Sequence, residues 1–126
     1  MKKLIFILIA MLGLNNGCVS AQNNNYADVD VVGFAKLLQS DNVQLLDVRT
    51  PEEFAEGHIK GAMNIDIYNK DFIDVAEKTL DKTKPVAVYC RSGRRSADAA
   101  GLLSEKGYKV TNLEGGILAW DKAHGG

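Results

Sequence analysis

From Tyr26 onward, short apolar runs alternate with amphipathic segments. Asp30 to Ser40 places Val31, Val32, Phe34, Ala35, Leu37 and Leu38 at helical spacing behind Asp30, a residue type suited to the N-cap. Val43 to Val48 is short and mostly apolar, which predicts a strand buried on both faces. Thr50 then offers an N-cap, Pro51 fills the first helical position, and Glu53 lies three residues after the cap, so a helix starts here and Gly57 ends it within two turns. Ala62 to Ile67 predicts a further strand and Lys70 to Leu80 a helix. Pro85 to Tyr89 is the clearest strand, with proline tolerated at its first residue. Arg94 to Lys106 predicts a helix stopped by Gly107, Tyr108 to Leu113 the last strand, and Gly116 to Ala123 a closing helix that carries Trp120. This alternation, without an internal repeat, predicts the α/β class, with a mainly parallel sheet covered by helices on both faces.

Residues 1–21 follow a different pattern. Lys2 and Lys3 precede an apolar run from Leu4 to Leu14, too short to span a bilayer and suited to the core of a secretory signal. Val19-Ser20-Ala21 has the small-residue spacing that a signal peptidase reads, so cleavage is expected after Ala21 and the domain is expected in an exported, periplasmic setting. The rival reading is lipidation of Cys18, which Gly17 suits and Asn15 and Asn16 do not; only in that case would the protein be membrane-anchored. Gln22 to Asn25 reads as a polar linker, and residues 26–124 as one domain.

Composition narrows the functional classes. A charged fraction of 25% is ordinary for a folded domain, and a formal net charge of -1 leaves no overall basic footprint, which argues against a dedicated nucleic-acid partner. Without residues 1–21 the chain keeps all 16 acidic residues and loses two of its 15 basic ones, so the net charge becomes -3. Two Cys and two His cannot support a disulfide scaffold and give little basis for a zinc site, so no metal and no cofactor are expected. A monomer is the expected state.

Against that acidic background, Cys90-Arg91-Ser92-Gly93-Arg94-Arg95-Ser96 concentrates three of the chain's four Arg in seven residues. The segment joins the clearest strand to a helix, and in open α/β sheets binding sites form at such strand ends. Backbone N–H groups and the positive end of the helix dipole surround a cysteine placed there and favour its thiolate. Gly93 permits the backbone conformation that such a cradle requires. A lone cysteine is usually a small buried filler. The three Arg argue against that reading here and point to Cys90 as a nucleophile beside an anion site. Asp47 and Arg49, at the end of another strand, are expected to support the loop, with an Arg49–Glu53 ion pair as the plainer alternative.

These residues resemble the rhodanese family. Leu46-Asp47-Val48-Arg49, Pro51-Glu52-Glu53-Phe54, Gly57-His58-Ile59, Gly61-Ala62 and Asn64-Ile65 are similar to its N-terminal signature. Cys90 to Ser96 is similar to its active loop, and Leu113-Glu114-Gly115-Gly116 with Ala119-Trp120 to its C-terminal signature. The resemblance runs from Tyr26 to His124. It implies a rhodanese-like fold with a central five-stranded parallel sheet, and sulfur transfer through a Cys90 persulfide from a small anionic donor such as thiosulfate to a thiol, cyanide or protein acceptor. Arg91, Ser92, Gly93, Arg94, Arg95 and Ser96 would form the substrate-binding loop. A binding or redox-sensing module that delivers persulfide with little turnover is the alternative. Cysteine phosphatases and arsenate reductases fit less well, because a phosphatase loop is longer and places its essential Arg six positions after the Cys, where this chain has Ser96. His58 is expected to be structural, bonded to nearby backbone, and Trp120 to belong to the core.

Overall fold

The structure is a computed structural model that describes residues 26–125. The expected export segment, residues 1–21, and the linker, 22–25, lie outside the described residues. In chain order the elements are β1 (Ala27–Val29), α1 (Val31–Leu37), β2 (Gln44–Asp47), α2 (Pro51–Glu56), β3 (Met63–Asn64), α3 (Phe72–Thr79), β4 (Val86–Tyr89), α4 (Arg94–Glu105), β5 (Val110–Leu113) and α5 (Gly116–Ala123). The five strands form one sheet in the order β1-β5-β4-β2-β3, and every pair is parallel.

The caps explain the early helices. Asp30 accepts a hydrogen bond from the Gly33 N–H and starts α1. Thr50 and Glu53 complete a reciprocal capping box at α2, with Pro51 inside it, and α2 stops at Gly57.

All four residues of β4 are buried, as a central strand covered on both faces requires. Side chains alternate across it. Val86 and Val88 join Leu46, Val48 and Val110 beneath Phe72 and Ala76 of α3 and Ala99, Ala100 and Leu103 of α4. Ala87 and Tyr89 join Leu45 and Leu113 on the opposite face, under Phe34 of α1 and Ile117 of α5. The same period of two carries Cys90, the residue after β4, to the α4 side, where it is 1% exposed.

Two expected elements change. The periodicity offers no strand before Asp30, yet Ala27–Val29 pairs with Thr111, Asn112 and Leu113. Ala27 and Asp28 are exposed, so this edge strand is held by backbone hydrogen bonds and has no apolar alternation to reveal it. The strand expected over 62–67 shortens to Met63–Asn64. Beyond it Ile65 and Ile67 still donate their N–H groups to the carbonyls of Asp47 and Val48, at 3.0 and 3.1 Å, as an irregular continuation of the edge.

Candidate active site

Cys90 stands where β4 ends, and the chain turns directly into α4. Gly93, the N-cap of α4, has φ of 103°, a left-handed conformation that favours glycine. That turn brings donors onto the sulfur: the Gly93 N–H lies 3.1 Å and the Ser96 hydroxyl 3.3 Å from Cys90 Sγ. Burial pushes the thiol pKa up, but the Ser96 hydroxyl and the N–H groups of Ser96, Gly93 and Ser92 outweigh it and hold the thiol below the ordinary cysteine value. The cradle is complementary to an anion on sulfur.

The N-terminus of α5 supports the loop from behind. Ile117 and Leu118 donate their N–H groups to the carbonyls of Cys90 and Arg91, at 2.9 and 3.2 Å. Helix donors that would otherwise lack partners thereby fix the first two residues of the loop. Gly116, with φ of 60°, makes this contact feasible, because an added Cβ there would overlap the Arg91 carbonyl. Asn112 on β5 also reaches the loop, donating to the Gly93 carbonyl at 3.4 Å and to Asp28 at 2.9 Å.

A family model for the rhodanese-like domain matches residues 31–123, a span that contains this loop and its α5 support. The chain belongs to the rhodanese family. It is 40% identical to a sulfurtransferase of Allochromatium vinosum over 91 residues, covering 71% of this chain and 81% of that protein. It is 39% identical to the thiosulfate sulfurtransferase PspE of Escherichia coli over 83 residues, covering 64% and 78%. Its fold matches the crystal structure of a rhodanese-related protein from Thermoplasma volcanium with a TM-score of 0.68 and 32% identity, covering 78% of this chain and 93% of that one. A rhodanese-like domain protein from Staphylococcus aureus matches with a TM-score of 0.65 and 35% identity, covering 75% and 90%. Rhodanese-type sulfurtransferase activity follows from these relatives.

The charged residues of this rhodanese domain sort into two groups. Arg95 makes a two-point pair with Glu53, at 2.8 and 3.0 Å, and its guanidinium lies 5.7 Å from the Tyr68 ring centroid. Glu53 also accepts from the Thr50 N–H and hydroxyl, and Arg95 first, then Thr50, holds its carboxyl down at about 2 despite partial burial. Glu53 is therefore the partner of Arg95, not of Arg49. Arg49 pairs instead with Asp47, which is fully buried, through contacts of 2.7 to 3.1 Å, and also donates to the Gly57 carbonyl at 2.7 Å. Burial opposes the charge on Arg49, and the hydrogen bonds it donates to Asp47 restore it, leaving the guanidinium firmly protonated. Arg91 and Arg94 are exposed and have no ion-pair partner among the described residues.

His58 Nδ1 lies 2.9 Å from the Phe54 carbonyl, and its ring stacks on Phe54 at 3.7 Å. Trp120 packs against the core edge-on to Phe34, at 6.1 Å between centroids. Among the described residues, no three His, Cys, Asp or Glu side chains converge as metal ligands. A cavity of about 450 Å³ opens beside the loop, between Arg49, Glu56 and His58 on one wall and Arg91, Leu118 and Asp121 on the other. The supporting roles of Gly116 and Asn112 are not apparent from residue types. The one signal is Gly115-Gly116 at a helix start, where an ordinary cap would place Ser, Thr, Asp or Asn.

Proposed function

We propose that Cys90 carries the sulfur in a two-step transfer from thiosulfate, or a similar small anionic sulfane donor, to a thiol or cyanide. The observation that supports this reading most directly is the convergence of the Gly93 N–H and the Ser96 hydroxyl on Cys90 Sγ. The thiolate attacks the outer sulfur of thiosulfate, the S–S bond of the donor breaks, and sulfite leaves with the bonding pair, so that Cys90 becomes a persulfide. The donors that stabilise the thiolate suit the persulfide anion equally, so no separate general base is required. Arg91 and Arg94, exposed and without an ion-pair partner among the described residues, attract the dianion and offset charge on the departing sulfite. Arg95, tied to Glu53, acts by holding the loop against α2.

Spacing supports sulfur transfer over phosphoryl transfer. The sixth position after Cys90 holds buried Ser96, whose hydroxyl points at the sulfur, and no guanidinium occupies that place. The deciding experiment is thiocyanate formation from thiosulfate and cyanide by the mature domain and by Cys90→Ser. Turnover that vanishes in the variant is the expected result. Absence of turnover with simple donors, together with tight capture of one protein partner, would favour a persulfide-delivery module instead. The apolar run Leu4 to Leu14 before Val19-Ser20-Ala21 further supports work outside the cytoplasm, which mass spectrometry of a mature N-terminus at Gln22 would test.

A further inference from the structure

We propose that Asp28, on the edge strand β1, is a positioning residue for Cys90: through the amide of Asn112 it holds Gly93 with its N–H on the sulfur. The inference rests on the reading of Cys90 as the sulfur carrier. It gives a part in that chemistry to a strand that the pattern of side chains does not reveal.

The first link is one of register. In the parallel pair of β1 and β5, Asp28 and Asn112 are direct partners, and Asn112 Nδ2 donates to the Asp28 carboxylate at 2.9 Å. Asn112 lies two residues after Val110, which packs in the same cluster as Cys90, so the period of two puts Asn112 on the α4 side of the sheet as well. There the same Nδ2 donates to the Gly93 carbonyl at 3.4 Å. One NH2 group thus joins the exposed edge to the active loop.

The orientation of that amide is set by its neighbours. A carboxylate and a carbonyl both accept, so the NH2 end has to face them. Oδ1 is left buried and without a hydrogen-bond partner among the described residues, an unfavourable state for an acceptor. The donor end is therefore what asparagine contributes here and an apolar residue of similar size would not. Asp28 makes the shorter of the two bonds and fixes the amide, and the longer contact to Gly93 follows from it.

Gly93 passes this on to the sulfur. Its N–H is the 3.1 Å donor to Cys90 Sγ, and its carbonyl also accepts from the Ala97 N–H at 3.2 Å in the first turn of α4. The residue sits against the end of β5, where an added Cβ would meet the Leu113 carbonyl oxygen at 3.3 Å and the Gly115 nitrogen at 3.2 Å. Glycine has no side chain to restrict it, so contacts to its own backbone decide where its N–H points. Asn112 supplies such a contact from the β5 side.

The sign of a pH shift separates positioning from charge. Removing a negative charge favours a thiolate elsewhere in the domain, so electrostatics alone makes any neutral residue at position 28 lower the Cys90 midpoint or leave it in place. Positioning requires the opposite for Asp28→Ala, which takes the acceptor away. It requires no rise for Asp28→Asn, whose side-chain oxygen still accepts from Asn112.

The rate of Cys90 alkylation by iodoacetamide against pH reads the midpoint without any turnover. Asp28→Ala is expected to raise it by about 0.3–0.5 pH units, and Asp28→Asn to match the wild type or fall below it. In an Asn112→Leu background, Asp28→Ala should cause no further rise. Should that background fail to fold, the two variants at the exposed position 28 decide the matter by themselves. A midpoint unchanged or lowered in Asp28→Ala, or raised equally in Asp28→Asn, would overturn the positioning role, whatever the stability of the variants. Absence of thiocyanate formation by the wild type would overturn the sulfurtransferase reading instead and leave the alkylation result standing.

Discussion

Gly116 lies against the carbonyl of Arg91, with φ of 60° and no room for a Cβ, and this contact sets the active loop on the N-terminus of α5. Gly116→Ala should therefore damage stability and activity together. The left-handed conformation and the overlap with backbone each cost about 1–3 kcal/mol. Urea denaturation should show a loss of about 2–5 kcal/mol, and the folded fraction should turn over more slowly because the Cys90 and Arg91 carbonyls lose their fixed donors.

Reactivity at Cys90 is expected to follow its thiolate. The rate of alkylation by iodoacetamide, followed against pH, should rise with a midpoint below the ordinary cysteine value. Ser96→Ala removes the hydroxyl that contributes most to lowering it, so the midpoint should move upward. A midpoint unchanged by that substitution would remove Ser96 from the account.

Breaking the Glu53–Arg95 pair has a defined pH signature. The Glu53 carboxyl titrates at about 2 in the folded chain against an ordinary 4.5, so its stabilisation is complete above 4.5 and fades as pH falls toward 2. The pair is partly exposed, which limits the effect to about 1–2 kcal/mol. Glu53→Gln should be less stable than the wild type by that amount at pH 7, and the two should converge as pH is lowered through this window.

Asp47→Asn leaves the Arg49 guanidinium without its buried counter-charge, and loss of one partner from such a pair costs about 3–5 kcal/mol. Thermal unfolding should register the loss at neutral pH. A variant as stable as the wild type would show that Arg49 finds another anchor.

The two exposed cations of the loop, Arg91 and Arg94, should act on binding. Arg91→Gln and Arg94→Gln are each expected to raise the KM for thiosulfate by about three- to tenfold, with a smaller change in kcat and a weaker dependence on salt. Arg95→Gln should instead lower stability, because its guanidinium is already engaged by Glu53.

The amino-acid order alone determined most of the fold. Asp30, Thr50-Pro51, Gly57 and Gly107 punctuate the helices, and the apolar run of β4 marks the centre of the sheet, because caps and burial act through neighbours in the chain. It also singled out the loop from Cys90 to Ser96 as the candidate site, since a cysteine followed by three Arg between a strand and a helix is a local signal. Partnership was decided only by the tertiary structure. Glu53 joins Arg95 across 42 residues and leaves Arg49 to Asp47, because parallel β2 and β4 bring their carboxyl ends, and so α2 and the active loop, side by side. The edge strand β1 and the seat of the loop on Gly116 depend likewise on backbone groups that meet across the sheet, and backbone groups leave no mark in the pattern of side chains.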